Sequence, residues 1–252
     1  VFGRAHYAYK SKYLFEFNLR YDGSSRFAPD SRWGTFPSFS GGWRITEESW
    51  LKNIKWLTNL KLRASWGKLG NNSIGNYDWQ SVYSTANYSL GQALTSGVAI
   101  TSIANAALTW EETAVTNIGF DFGFLNNRLT GNIDVYNKIT SGILYKPDMY
   151  MAMGTATGPK ENIAEVTNRG VEFELGWRDK IGRDFNYSVK GQFSFNKNFV
   201  SKYKGKLERG WNADHTEYST NIGDVSTSGS GGRTRVIEGH QINEFYLPNV
   251  YK

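Results

Sequence analysis

Residues 13–21 read YLFEFNLRY, and this stretch decides the fold. Large apolar side chains alternate along it with mostly polar ones. Because successive side chains of a β-strand point to opposite faces, such a run forms a strand with one apolar and one polar face. The apolar face carries Tyr13, Phe15, Phe17, Leu19 and Tyr21, while Leu14, Glu16, Asn18 and Arg20 share the other. The stretch therefore predicts a sheet whose two faces meet different surroundings.

The composition of the 252-residue chain points the same way. Aromatic residues make up 15% of it and include nine tryptophans, yet the mean hydropathy is −0.51. This pairing suits strands with one apolar and one wet face. No run approaches the roughly 18 apolar residues of a membrane-spanning helix. The chain has no cysteine, which excludes disulfides and thiolate metal sites. Its net charge of +6 is dispersed, whereas a nucleic-acid-binding surface is typically a basic stripe.

The same alternation recurs along the chain and predicts eight or nine strands. Besides residues 13–21, the runs are about 2–9, 35–45, 59–68, 112–125, 129–136, 166–178, 185–195 and 237–251. Asn126 and Asn127 separate two of these runs. Because asparagine tolerates positive φ, this pair predicts a tight hairpin turn.

Residues 46–57 change period and predict a short amphipathic helix. Trp50, Leu51, Ile54 and Leu57 recur at helical spacing, and Thr46 is a suitable N-cap. The helix is expected to cover one end of the sheet. An alternative interpretation places Trp50 and Trp56 at a membrane interface, where tryptophan is enriched.

The connections between strands alternate between short and long, and this pattern favours a barrel. The long connections are expected near 69–110, 141–165 and 199–236. A β-sandwich also has alternating strands, but nothing in it forces every long loop to one end. Outer-membrane barrels have short periplasmic turns, long extracellular loops, an apolar outer band and a polar lumen. The fold class is therefore predicted as all-β, an antiparallel transmembrane β-barrel portion of eight or nine strands belonging to a larger barrel.

A series of short motifs, in this order, resembles the barrel of SusC/RagA-type TonB-dependent transporters of Bacteroidetes outer membranes. The early motifs lie at residues 3–9, 13–14, 20–27 and 36–45. The later ones are 60–67 (LKLRASWG), 70–72 (GNN), 110–113 (WEET), 117–119 (NIG), 132–136 (NIDVY), 168–172 (NRGVE) and 238–246. No single motif is decisive, but their order and spacing together are specific.

The resemblance implies more than periodicity does. Such proteins have a barrel of twenty-two strands, an internal plug and a TonB-contacting segment near the N-terminus. Residues 1–252 would form part of the barrel domain, with the plug and N-terminal domains outside this chain. The resemblance implies import of a glycan or peptide across the bacterial outer membrane, energised through TonB, ExbB and ExbD. A SusD-like surface lipoprotein would serve as the lid. It implies neither an enzyme nor a cofactor.

The candidate chemistry of the chain is ligand binding rather than catalysis. His6, His215 and His240 lie far apart and show no metal-ligand spacing, and no nucleophile elbow occurs. Aromatic faces suit sugar rings, with a few polar neighbours supplying hydrogen bonds. The loop aromatics are therefore the candidate ligand-binding residues: Trp79, Tyr83, Tyr88, Trp211 and Tyr218. The competing interpretation is that they pack the loops together or contact the lid protein.

Two other functional classes stay open at this point. One is a soluble or surface-attached β-rich binding module that only shares the alternating strands. The other is a passive porin, which would lack a plug upstream. Only a lipid-embedded barrel predicts that the apolar face of residues 13–21 lies exposed on the protein instead of inside a closed core.

Overall fold

The computed structural model describes residues 1–145, 158–203, 209–211, 218–220, 239 and 241–242, with only the backbone for 209–211 and 218–220. The strands are β1 Phe2–Tyr9, β2 Tyr13–Gly23, β3 Trp33–Arg44, β4 Leu57–Asn71, β5 Val82–Leu90, β6 Ala93–Ser102, β7 Glu111–Phe124, β8 Leu129–Tyr145, β9 Glu161–Ile181, β10 Phe185–Tyr203, β11 Arg209–Trp211 and β12 Tyr218–Thr220. Single 3-10 turns occupy Pro29–Ser31 and Ile45–Glu47. The described residues include no helix that is long and apolar enough to cross a membrane.

Eight strands form one antiparallel sheet in the order β1-β2-β3-β4-β7-β8-β9-β10. Each strand pairs with the next strand of this order, so successive connections must leave the sheet at opposite ends. Residues 10–12, 45–56, 125–128 and 182–184 connect strands at one end, which we call the short-turn end. Residues 24–32, 72–110 and 146–160 leave from the other, the long-connection end. The predicted all-β antiparallel architecture is confirmed.

Register makes the apolar face continuous across the sheet. Phe17 lies opposite Phe39, which lies opposite Trp66 on the next strand. Their rings stack at centroid separations of 5.1 and 5.9 Å. Phe15 on the same face is 62% exposed. The face therefore packs against no protein layer in the described part of the chain, and we call it the outer face.

Small clusters of buried residues lie near the long-connection end instead of beneath the sheet. Phe27, Ile74 and Leu108 form one cluster, with Trp110 and Leu144 packed against it. A second joins Val166 and Val200 to three partly buried neighbours. A single sheet that packs against no second protein layer has no central core. The residues that other protein atoms bury therefore lie where the loops fold over the sheet.

Residues 45–57 form no α-helix, so the predicted helix is wrong. After the 3-10 turn, Leu51, Ile54 and Leu57 each donate a backbone hydrogen bond to the residue three positions earlier, at 3.0 to 3.3 Å. Glu48 is extended at φ −74° and ψ 143°. Its carboxylate is held by other strands, and this tertiary contact outweighs the local helical pattern.

Two further features differ from the sequence-based expectation. Residues 69–110 were expected to lack regular structure, but β5 and β6 form a separate hairpin there. Its turn uses Gly91 and Gln92, both at positive φ. Strands β8, β9 and β10 also run further toward the long-connection end than predicted. The positive φ expected of Asn126 and Asn127 is confirmed at 57° and 61°. The strand expected at residues 237–251 lies mostly outside the described residues.

Candidate functional site

The inner face of the sheet is a wall of paired charges centred on Arg63. The Arg63 guanidinium donates to Asp121 on β7 at 3.0 Å and to Asp134 on β8 at 2.5 Å. A Cβ on Gly119 would lie 2.5 Å from the guanidinium carbon. Only glycine therefore leaves room for the arginine to cross β7 and reach both carboxylates.

The second carboxylate of this network is nearly buried. Asp134 is 8% exposed, and its Oδ1 atom has no hydrogen-bond partner within the described residues. A buried carboxylate oxygen costs free energy when it is left unpaired. Arg63 compensates for the charge of Asp134, whose second oxygen stays buried and unpaired among the described residues.

A groove of about 310 Å³ runs along the inner face beside this network. Its lining includes His6, Glu16, Lys61, Arg63, Ser65 and Asn117. Arg4 donates to Glu16 at 2.6 Å, so the charges of the groove are partly compensated. The groove offers hydrogen-bond donors and acceptors and side chains of both charges, which suits transient contact with polar molecules. Within the described residues, no group of three or more His, Cys, Asp or Glu side chains could hold a metal ion.

The long-connection end folds over the inner face. Phe36 belongs to that face, since it lies opposite Arg20, and it is only 3% exposed. Its ring meets Trp110 edge-on at 5.4 Å, and Trp110 also contacts Phe27 at 5.2 Å. We call Phe27, Phe36, Ile74, Leu108 and Trp110 the mouth cluster. It ties the 24–32 and 72–110 connections to β3 at the open end of the polar wall.

Asn162 on β9 anchors the 72–110 connection and the end of β8 at this mouth by hydrogen bonds. Its amide nitrogen donates to the carbonyls of Thr109 and Gly142 at 3.0 and 2.7 Å. Its amide oxygen accepts from the Thr109 backbone at 3.0 Å. One side chain thus satisfies three backbone groups, two of Thr109 in the 72–110 connection and one of Gly142 at the irregularity in β8.

Three of the five predicted ligand-binding residues lie beyond the mouth cluster, between β4 and β6. Trp79 is half-buried, and its indole nitrogen is buried without a hydrogen-bond partner in the described part of the chain. Tyr83 and Tyr88 are 60% and 51% exposed on β5. Because five positions separate them, they point to opposite faces of the hairpin. No described contact brings these three side chains together.

The other two predicted residues share a second hairpin. Trp211 on β11 and Tyr218 on β12 are register partners, and their side chains lie outside the described residues. The hairpin is a sheet of its own, separate from the one that holds Tyr83 and Tyr88. Four of the five residues therefore belong to two different hairpins, Trp79 precedes the first of them, and their role in ligand binding stays a prediction.

At the short-turn end, one carboxylate binds three neighbours that sequence reasoning did not connect. Glu48 accepts hydrogen bonds from the Tyr13 hydroxyl at 2.8 Å, Lys12 at 3.0 Å and the Trp43 indole at 3.2 Å. These donors, with Tyr13 the largest cause, lower the pKa of Glu48 below its ordinary value. This contact fastens the 45–56 connection to the turn between β1 and β2.

Sequence comparison matches the chain to a β-barrel family. Residues 1–245 match the family described as TonB dependent receptor-like, beta-barrel. The chain is 34% identical to the TonB-dependent receptor SusC of Bacteroides thetaiotaomicron over 98% of its length, covering 24% of that protein. It is 36% identical to the TonB-dependent receptor P3 of Formosa agariphila over 80% of its length, covering 20% of that protein.

Solved structures agree in fold. The chain matches the RagAB peptide importer in its "closed-closed" state with a TM-score of 0.74 and 29% identity, over 84% of this chain and 23% of that one. The RagAB peptide transporter gives a TM-score of 0.74 with 27% identity. The chain thus spans about a quarter of the length of the relatives that it matches.

Proposed function

Because the chain belongs to the TonB-dependent receptor-like β-barrel family, whose members are outer-membrane transporters and not enzymes, we propose that it forms part of the barrel wall of a TonB-dependent nutrient importer. The plug and the TonB-contacting segment would lie elsewhere in the full protein. The TonB, ExbB and ExbD proteins would supply the energy through that segment.

One observation carries this proposal: the same eight strands present an exposed aromatic face on one side and a network of paired charges on the other. Such a sheet cannot be stable as a soluble module, because contiguous exposed apolar surface of this extent promotes association. In a bilayer the arrangement is favourable, since lipid covers the apolar face and the lumen hydrates the polar one.

The inner face suits a translocation path. Its groove presents hydroxyl, amide, imidazole and charged groups without an enclosed high-affinity pocket, so a polar solute can exchange partners as it passes. Charge compensation around Arg63 leaves the wall without a large excess of either sign. These properties fit a neutral or weakly charged hydrophilic cargo, for which we propose a glycan or a peptide.

The long connections are proposed to be extracellular and to contact both the cargo and a SusD-like lipoprotein lid. The mouth cluster supports this, because it holds the loop bases over the inner face and not over the outer one. Trp79, with its unpartnered indole nitrogen, and the exposed Tyr83 and Tyr88 are proposed to contact cargo. Trp211 and Tyr218 are proposed to do so from the second hairpin.

Uptake by cells that express the full-length transporter tests the proposal. A deletion strain and its complemented strain would be supplied with oligosaccharides or with a tryptic peptide digest, with and without a protonophore. We expect protonophore-sensitive uptake of one cargo class, only in complemented cells. Uptake that persists without membrane energisation would identify a passive porin and contradict the proposal.

Replacement of two loop tryptophans tests the site itself. The double variant Trp79→Ala/Trp211→Ala should reduce uptake several-fold, because each ring offers a stacking surface for cargo. A matched variant, Trp50→Ala/Trp56→Ala, removes two tryptophans from the short-turn end and should retain uptake. Surface levels measured by antibody labelling of intact cells separate loss of binding from loss of assembly. Unchanged uptake in the first variant at normal surface levels would exclude the assignment.

A further inference from the structure

The two ends of the sheet differ in charge, and the difference is larger than the chain's modest net charge suggests. We define the short-turn rim as residues 10–12, 44–56, 125–128 and 178–184. It contains nine lysine or arginine residues and four carboxylates. The connections at the other end, residues 22–32, 72–110 and 146–160, contain four basic and four acidic residues. Most of the excess positive charge of the chain therefore lies on the 27 residues of the rim.

Most of the rim's carboxylates are already occupied. Glu47 pairs with Arg44, Glu48 with Lys12 and Asp179 with Arg128. Several rim cations are exposed and have no carboxylate partner within the described residues. These are Lys10, Lys52, Lys55, Lys180 and Arg183. The rim thus presents positive charge that no carboxylate of the described residues compensates.

Part of this charge lies on the outer face, beside aromatic rings. The ammonium of Lys10 lies 5.3 Å from the ring centroid of Tyr9, and the Arg128 guanidinium lies 5.6 Å from that of Trp177. Both rings belong to the outer face. Trp56 stacks on Phe124 of the same face at 5.6 Å and is 59% exposed. Lys52 and Lys55 lie in the same connection as Trp56.

A cationic groove opens at the rim between β9, β10 and the turn after β7. Its volume is about 430 Å³, and it is lined by Arg128, Arg178, Asp179, Lys180, Asn186, Tyr187 and Ser188. Asp179, its one carboxylate, also accepts from the Lys180 backbone at 2.8 Å. The remaining groups include three cations and two hydroxyls. This donor set suits the oxygen acceptors of a phosphodiester. Arg178 and Lys180 take inner-face register positions at the end of β9, whereas Arg128 lies beside the outer-face ring of Trp177.

We propose that the short-turn rim binds the phosphate groups of anionic phospholipid head groups in the leaflet that it meets. Aromatic rings at the edge of the outer face mark the level of the membrane interface. Cations beside them lie where head-group phosphates are found, and each such cation adds attraction to an anionic surface. The proposal rests on the membrane placement of the sheet and is independent of the imported cargo.

Lipid retention by the full-length transporter tests this proposal. The protein, purified in a mild detergent, would be mixed with equimolar phosphatidylglycerol and phosphatidylethanolamine, and bound lipids counted by native mass spectrometry. Three double variants each remove two exposed positive charges. Lys52→Gln/Lys55→Gln and Lys180→Gln/Arg183→Gln alter the rim, whereas Lys197→Gln/Lys202→Gln alters β10 near the opposite end.

We expect the wild type to prefer phosphatidylglycerol, with the preference decreasing as salt is raised. Each rim charge removed should weaken binding by about fivefold. The Lys197/Lys202 control should stay close to wild type, and protonophore-sensitive uptake reports separately on the proposed import function. Equal retention of the two lipids by the wild type, or equal losses in rim and control variants, would overturn the proposal. Displacement of the lipid by inorganic phosphate at the same concentration would also overturn it, because a free-phosphate site needs no membrane.

Discussion

The outer and inner faces of the eight-stranded sheet are built by the same strands but stabilised by different interactions. On the outer face, Phe17, Phe39 and Trp66 stack across strands, and large side chains such as Phe193 remain 64% exposed on the protein. On the inner face, Arg63 joins carboxylates from two other strands. The outer face depends on lipid to cover it, whereas on the inner face charges such as Arg63, Asp121 and Asp134 compensate one another within the protein.

This difference shows that the exposure of a side chain has different consequences for stability on the two faces. An exposed phenylalanine on the outer face contributes to stability only after membrane insertion, because lipid accepts apolar surface and no unpaired charge. A buried aspartate on the inner face is stable only while its arginine partner is in place. The same substitution should therefore have different effects at adjacent positions of one strand.

The largest effect is expected from a charge placed on the outer face. Phe193→Arg should destabilise the full-length protein in lipid vesicles by about 2–4 kcal/mol, as arginine does near the bilayer midplane. Ser194→Arg, one position away on the inner face, is the matched control and should change stability little. Guanidinium unfolding of both variants in vesicles measures the difference. Equal destabilisation would show that the assignment of the two faces is wrong.

Removal of the arginine from the inner network should have the next largest effect. Arg63→Met leaves the nearly buried Asp134 without its cation, at a cost of about 1–3 kcal/mol. Adding Asp121→Asn and Asp134→Asn to this variant should restore part of the stability, because the triple variant buries no uncompensated charge. Unfolding under the same conditions measures both variants. The network is not stabilising if the single variant unfolds like the wild type.

A methyl group distinguishes a closely packed position at the mouth from an open position on the outer face. Gly70→Ala would place Cβ against the buried Phe36 ring of the mouth cluster. The resulting overpacking should cost about 1–3 kcal/mol. Gly41 lies on the outer face, and a Cβ added there would have no atom within 4 Å, so Gly41→Ala should be neutral. Hydrogen–deuterium exchange of residues 103–110 would show whether loosening is confined to the mouth, and equal exchange in both variants would contradict the expected packing.

The smallest effect concerns Glu48, at the rim where the two faces meet. Its folded-state pKa is lowered, chiefly by the Tyr13 hydroxyl, so its stabilising effect is present above the ordinary carboxyl pKa of about 4.3. That effect is lost as the pH falls through the lower folded-state value. Exchange protection of residues 44–57, corrected for intrinsic rates, should exceed that of Glu48→Gln at pH 6. The two proteins should converge in strong acid, and a constant difference would exclude the carboxylate as the cause.

The sequence alone was sufficient to assign side chains to the two faces of the sheet and to predict some of its turns. The alternation in residues 13–21 assigns each side chain to a face because strand geometry has a period of two, a local property of the backbone. Asn126 and Asn127 likewise adopt the predicted positive φ, which depends on little beyond their own conformational preferences. The β5–β6 hairpin was missed since its residues do not separate into an apolar and a polar face, and Gly91 was its one turn signal.

The partners of each side chain were decided only by tertiary structure. Arg63 meets Asp121 and Asp134, which lie 58 and 71 positions further along the chain, and no local pattern specifies that register. Glu48 provides the clearest contrast. The sequence around it has a helical period, but the hydrogen bonds from Tyr13 and Trp43 hold Glu48 in an extended conformation. Local periodicity assigns a residue to a face, whereas its contacts depend on which distant strands close against it.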